Sequence, residues 1–138
     1  MNKAQKQALF EKAVNGLLSQ NGPCVDKNRH CKLFHGRKRC AVGWTIPLTW
    51  KDRILRGKDT GGLKLNESGY DELHQALPDL MGELQCKTDK DHDFMGQLQI
   101  CLHDRYAVHR FTDDWKQWVR TQAMLFAYNL KLNTKFLK

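Results

Sequence analysis

The sequence predicts an α+β fold that is predominantly helical, with four or five helices packed around a short β-hairpin, and three observations carry the prediction. Apolar residues recur at helical spacing over 3–20, 93–109 and 113–130. Asn21-Gly22-Pro23, Gly57, Gly61-Gly62 and Pro78 punctuate the chain where helices end. After the first helix the helical period disappears, and two short apolar runs flank the turn-forming His35-Gly36-Arg37-Lys38.

Helix 3–20 carries Phe10, Ala13, Val14, Leu17 and Leu18 on one face, with Lys and Gln opposite. The hairpin joins Cys31–Phe34 to Arg39–Gly43; two strands alone are marginal in water, so it must lie against a helix. Thr49 caps a short helix over 50–56, and 57–66 reads as a loop. Asn66 or Ser68 starts a helix bearing Tyr70, Leu73 and Leu77, with Glu67, Asp71 and Glu72 near its positive end. Pro78 interrupts it, and Asp79 to Leu84 add another turn or two. Helix 93–109 uses Phe94, Leu98, Cys101, Leu102 and Tyr106. Thr112, with Asp113 and Asp114, starts helix 113–130, whose broad face holds Trp115, Trp118, Val119, Ala123, Phe126 and Ala127. That face is wide enough for a core or for a homodimer interface. The basic tail 131–138 is expected to fray. Neither a repeat nor a linker divides the chain, which reads as one globular domain over 1–138.

At 138 residues the chain can bury a core without disulfides or metals. Five cysteines (Cys24, Cys31, Cys40, Cys86, Cys101) are an odd number for a disulfide framework and read mostly as reduced, small core residues. Apolar runs fall short of the roughly 20 residues a membrane span needs. Glu11, Lys12 and Asn15 break what would be a signal peptide's apolar stretch, so a cytoplasmic location is expected, with no membrane partner.

Charge is segregated along the chain. Residues 1–64 carry +10, 65–115 carry −7 and 116–138 carry +5, giving a net +8. A basic surface of this kind favours an acidic protein face or nucleic acid.

Candidate chemistry concentrates before residue 41. Lys27, Arg29, Lys32, Arg37, Lys38 and Arg39 form a basic patch around the hairpin tip, suited to carboxylates or to phosphates. Phe34 would supply a stacking surface for bases if exposed. Cys24, His30, Cys31, His35 and Cys40 are ligand types that suit tetrahedral zinc. Their spacing lacks a Cys-x2-Cys knuckle, so packed thiols are the plainer reading and no cofactor is expected. Cys40, set among cations, would have its thiol pKa lowered. His103-Asp104, with His74 upstream and Asp113 or Asp114 downstream, has the ligand types of metal phosphohydrolases but a compressed spacing; an outer helix face is the plainer place for it. Gly57-Lys-Asp-Thr-Gly61-Gly62 lacks the order of a phosphate-binding loop.

Several motifs together resemble a group of small bacteriophage and prophage proteins without an assigned activity. Those proteins pair a Cys-aromatic-x-Gly turn with Cys-Ala-Val/Ile-Gly and Ile-Pro, as in Cys31, Phe34, Gly36, Cys40-Ala41-Val42-Gly43 and Ile46-Pro47. They also carry a Leu-Gln-x2-His-Asp helix, matched by Leu98-Gln99 and His103-Asp104 with one extra residue between, and they end on a Trp-containing helix. Leu48 stands where the group usually has an acidic residue. The resemblance spans about half the chain. It implies a phage origin and carries over no catalytic residue.

The expected function is therefore that of a small phage-encoded, non-enzymatic binding protein, whose basic face engages and modulates an acidic host or defence-system protein. Direct DNA or RNA binding through the same hairpin is the alternative, and a metal-dependent enzyme ranks below both.

Overall fold

Asn2 opens the first helix, α1 (Lys3–Leu18): its side chain accepts the Gln5 N–H while Gln5 returns the bond to the Asn2 N–H, a reciprocal cap. The computed structural model describes residues 1–56, 66, 70–109 and 114–137. Helix α1 buries Leu9, Phe10, Ala13, Val14 and Leu17 at the expected spacing. Two-residue strands β1 (Phe34–His35) and β2 (Lys38–Arg39) pair antiparallel, Phe34 opposite Arg39. Gly36, at φ +63°, takes the left-handed position the tight turn requires.

The hairpin is shorter than expected, because its second strand stops at Arg39. Cys40 caps helix α2 (Ala41–Thr45), its Sγ accepting the Gly43 N–H at 3.3 Å. Small residues allow this: Gly43 packs on the Leu33 carbonyl, and Gly16 of α1 sits under the Trp44 ring, where a Cβ would collide. Helix α3 (Leu48–Arg56) starts one residue before Thr49.

Helices α4 (Tyr70–Ala76) and α5 (Pro78–Glu83) follow, with Pro78 starting α5, since its missing N–H costs nothing in a first turn. Asn66 is tied to the first strand of the hairpin. Its side chain accepts the Phe34 N–H and donates to the Phe34 carbonyl, fixing the edge of β1. Of the loop expected over 57–66 only Asn66 is described, and the starts expected at Ser68, Thr112 and Asp113 lie outside the described residues.

Thr88 and Asp91 form a second reciprocal cap at the start of α6 (Asp89–Gln99). That helix runs into a π-helical turn (Ile100–Asp104) and then α7 (Arg105–His109), so one rod of three segments replaces the uniform helix expected over 93–109. Asp114 caps α8 (Trp115–Leu130) by accepting the Gln117 N–H. Taking α6, the π-turn and α7 as one rod, the described residues make seven helices and one two-stranded sheet, a mostly helical α+β fold.

Helix α1 lies in the middle, against α2 and α8. Phe10 stacks on Phe126 at 5.5 Å and meets Phe136 edge-on at 5.6 Å. Trp115 and Trp118 are core residues, 6 and 7% exposed, with Tyr106 set edge-on to both rings. Burying each such side chain contributes about 1.5–3 kcal/mol. In the described part of the tail Leu132 is buried, and the Gln7 side chain bonds the Asn133 N–H and carbonyl. No described helix is long and apolar enough to cross a membrane.

Candidate functional site: a basic double turn over a polar recess

Between α1 and α2 the chain makes two successive turns. In the first, Cys24 and Lys32 share a backbone hydrogen bond, and Val25 bridges Cys31. Asp26 organises the tip by accepting the N–H groups of Asn28 and His30 at 2.8 and 2.9 Å. The His30 N–H, aided by Asn28 and by the charges of His30 and Lys32, holds the Asp26 carboxyl below the usual carboxylate range. Arg29 adopts φ +64° at this tip. The second turn is the β1–β2 hairpin, tied to the first where the Cys24 thiol donates to the Lys38 carbonyl at 3.4 Å.

The six cations divide into two sets. Lys27, Arg29 and Arg37 are exposed at the tips, and Lys38 is half-buried beside them. Lys32 lies 3.8 Å from Asp26, its side chain only 12% exposed. Arg39 is stacked over Trp44 at 4.7 Å and near Phe34 at 5.8 Å, and burial lowers its pKa. Phe34 itself is 2% exposed, so it offers no face for a base to stack on.

Behind the first turn is a recess of about 360 Å³, lined in part by Arg29, Cys31, Cys40, Val42, Gln99 and Asp104. A chain of hydrogen bonds closes its inner wall. Gln99 accepts the buried Val42 N–H at 2.8 Å and donates to Asp104 Oδ1 at 2.7 Å. His103, fully buried where an outer helix face was expected, lies 2.9 Å from the same oxygen through Nδ1. Its Nε2 accepts the Cys24 N–H at 2.8 Å. Because a backbone N–H can only donate, Nδ1 carries the ring proton and donates to Asp104, and the imidazole is neutral.

That tautomer limits the chemistry. Donor atoms of Cys31, His103 and Asp104 lie within 4.8 Å of one another, the spacing of a metal site. With Nε2 occupied and Nδ1 protonated, however, the ring has no lone pair to give a metal or a proton. Cys31 and Asp104 are left as donors, too few for the tetrahedral zinc the sequence brought to mind. Of the zinc candidates, Cys31, Cys40 and the exposed His30 line the recess, His30 also lying 3.6 Å from Asp26, whereas Cys24 is buried outside that lining and His35 is exposed on the hairpin.

The thiols are also poor nucleophiles. Burial first, then the Asp104 carboxylate, pushes Cys31 up to about 12. Burial and Cys31 push Cys24 up to about 12. Cys40 runs opposite to the expectation from its cationic neighbours in sequence, because full burial raises its pKa. His74 lies apart from His103. It stacks on His92 at 4.1 Å, in a cluster where the Tyr70 hydroxyl is 2.8 Å from His92 Nδ1 and 3.1 Å from Cys86. Burial and His74 lower the His92 pKa. Sequence reasoning missed this cluster, because its members sit on three elements with no shared motif.

No family model, curated protein or solved structure matches the chain.

Proposed function

We propose that this is a non-enzymatic binding protein, phage-encoded like the proteins it resembles, that engages an acidic host or defence-system protein in the host cytoplasm and modulates it. The observation supporting this reading is the division among the six cations. Lys32 and Arg39 brace the double turn from within, while Lys27, Arg29, Arg37 and Lys38 ride on a backbone held by Asp26, Gly36 and Asn66. Charges on a preorganised backbone lose little entropy on binding and steer encounter with an opposite surface. The committed tautomer of His103 and the protonated thiols speak against catalysis in the recess behind them. The buried ring of Phe34 favours a protein partner over a nucleic acid.

Affinity capture from bacterial lysate tests the reading, with wild type compared against a Lys27→Glu, Arg29→Glu, Arg37→Glu variant. Each capture is split into nuclease-treated and untreated halves at about 0.15 M salt, where weak surface attraction is screened. A defined protein in both wild-type halves and in neither variant half bears the proposal out. Nucleic acid that vanishes with nuclease overturns it and makes the double turn a DNA- or RNA-binding element, marked by a steep fall of log affinity with log salt.

A further inference from the structure

A second surface shares no residue with the double turn. Between the α6–α7 rod and α8 runs a groove of about 450 Å³, floored by Phe94 and Phe126 and walled by Leu125 and Leu130. Phe94 and Phe126 are each 6% exposed, so they are fixed parts of the core, whereas Leu125 and Leu130 are 55 and 45% exposed. Met124 and Tyr128, 52 and 84% exposed, lie on the same helix outside the groove's lining. An isolated exposed leucine is ordinary, but two of them walling a groove floored by phenylalanines mark an interaction surface.

Charge at the rim says what fits there. Lys6, Lys90 and Arg105 border the groove against a single carboxylate, Asp93. Lys6 reaches over the Phe94 ring at 5.8 Å, which holds its ammonium at the edge of the apolar floor. The long wall, from Lys90 to Arg105, extends about 20 Å at 1.5 Å per residue, nearly four helical turns. An open trough of that length, with an apolar floor, a cation at each end of its long wall and Lys6 over the floor, matches an amphipathic helix whose apolar stripe is flanked by carboxylates.

We infer that the groove between α6–α7 and α8 is a docking site for an acidic amphipathic helix of a partner protein. Leu125 and Leu130 contact the apolar stripe, and Lys6, Lys90 and Arg105 pair with the flanking carboxylates. The inference stands apart from the proposal for the double turn, since neither surface needs the other.

Fluorescence anisotropy tests it with three labelled synthetic peptides of about 18 residues, long enough to span the wall. One has Leu at i, i+3, i+4 and i+7 with Glu elsewhere, the second replaces Glu by Lys, and the third scrambles the first at constant composition. The Glu peptide is expected to bind at least about tenfold tighter than either other peptide, a difference near 1.4 kcal/mol. Leu125→Glu and Arg105→Glu each remove most of that advantage; both positions are exposed, and unchanged thermal melting of each variant shows that the fold persists. Arg37→Ala with Lys38→Ala leaves the advantage intact. Equal binding of the scrambled peptide, no binding of the Glu peptide, or loss of binding in the Arg37/Lys38 variant with none in Leu125→Glu overturns the inference.

Discussion

Gln99 donates to Asp104 Oδ1 at 2.7 Å across five residues of a continuous helical rod. In a uniform α-helix, residues five apart point about 140° away from each other and cannot meet. The π-turn at Ile100–Asp104 absorbs one residue and returns both side chains to the wall of the recess. The residue absorbed is the one by which Leu98-Gln99…His103-Asp104 exceeds the Leu-Gln-x2-His-Asp pattern. In the shorter pattern Gln and Asp are four apart and meet on an ordinary α-helix.

Deleting Ile100 should therefore be tolerated. Ile100 is 42% exposed, and its loss converts the π-turn to an α-turn while the flanking helices keep their register. The expected cost is about 1 kcal/mol or less in urea unfolding, the size of an ordinary surface change. Deleting Met124, 52% exposed but inside the regular α8, rotates Leu125 to Leu130 by about 100° and should abolish cooperative unfolding. Equal damage from the two deletions would show that the extra residue has a role of its own.

Cys31 reports on Asp104. Its thiol stands at about 12, and two of the causes that raise it are the charge and the hydrogen bond of Asp104. Asp104→Asn removes the charge, so the Cys31 pKa falls and the thiolate fraction at any alkaline pH rises. Iodoacetamide labelling of Cys31, followed by mass spectrometry between pH 8 and 11, should accelerate about tenfold per unit of downward shift. In the wild type, buried thiols titrate above their ordinary value near 9, so folded chains hold protons that unfolded chains have lost. Stability is then fully present below pH 9 and declines from there toward pH 12. Labelling at the same rate in both proteins would place Asp104 too far from the thiol to matter.

Asp91 governs the acid side. Its carboxylate accepts the Lys87 and Thr88 N–H groups and both of its oxygens meet the Met1 ammonium, at 3.0 and 3.1 Å. The Lys87 N–H is the largest cause, then the ammonium, and together they hold the carboxyl far below its ordinary 3.8. A depressed carboxyl contributes stability that is present above pH 4 and lost as pH falls through the folded-state value. Asp91→Asn leaves the buried ammonium unpaired and should cost about 3 kcal/mol at pH 7. Urea midpoints from pH 2 to 7 should show the two proteins converging as the wild-type carboxyl protonates. A constant gap across that range would reduce Asp91 to a neutral helix cap.

The long helices, the hairpin turn and the gathering of cations were legible because period, glycine and charge are local properties. Phe10, Val14 and Leu17 declare their common face within two turns, and Gly36 declares its turn alone. The recess was not legible as a unit. Cys31 is distant in sequence from Gln99 and Asp104, and those two meet only through a π-turn that a 3.6-residue period conceals. The neutral tautomer of His103 follows from the Cys24 N–H, 79 residues away, and the groove follows from how α6 and α8 pack. The packing of Leu132 and Phe136 was hidden for a related reason. Lys131, Lys135 and Lys138 look solvated, but Leu132 and Phe136 between them reach the Phe10 core.

The division of the basic patch into braces and contacts predicts which substitutions act on folding and which on binding. Lys27→Ala and Arg37→Ala change exposed side chains and should leave stability within about 0.5 kcal/mol. Arg39→Ala strips the cation from the faces of Trp44 and Phe34 and should cost about 1–2 kcal/mol. Arg39→Lys, which keeps the charge but loses the planar stacking group, should recover less than half of that loss. Replacing Arg37, Lys38 and Arg39 together therefore confounds a binding defect with a folding one, whereas Lys27 and Arg37 test binding alone. Thermal melts of the single variants decide the matter. A melting point for Arg39→Ala equal to that of Arg37→Ala would return Arg39 to the binding surface and dissolve the distinction.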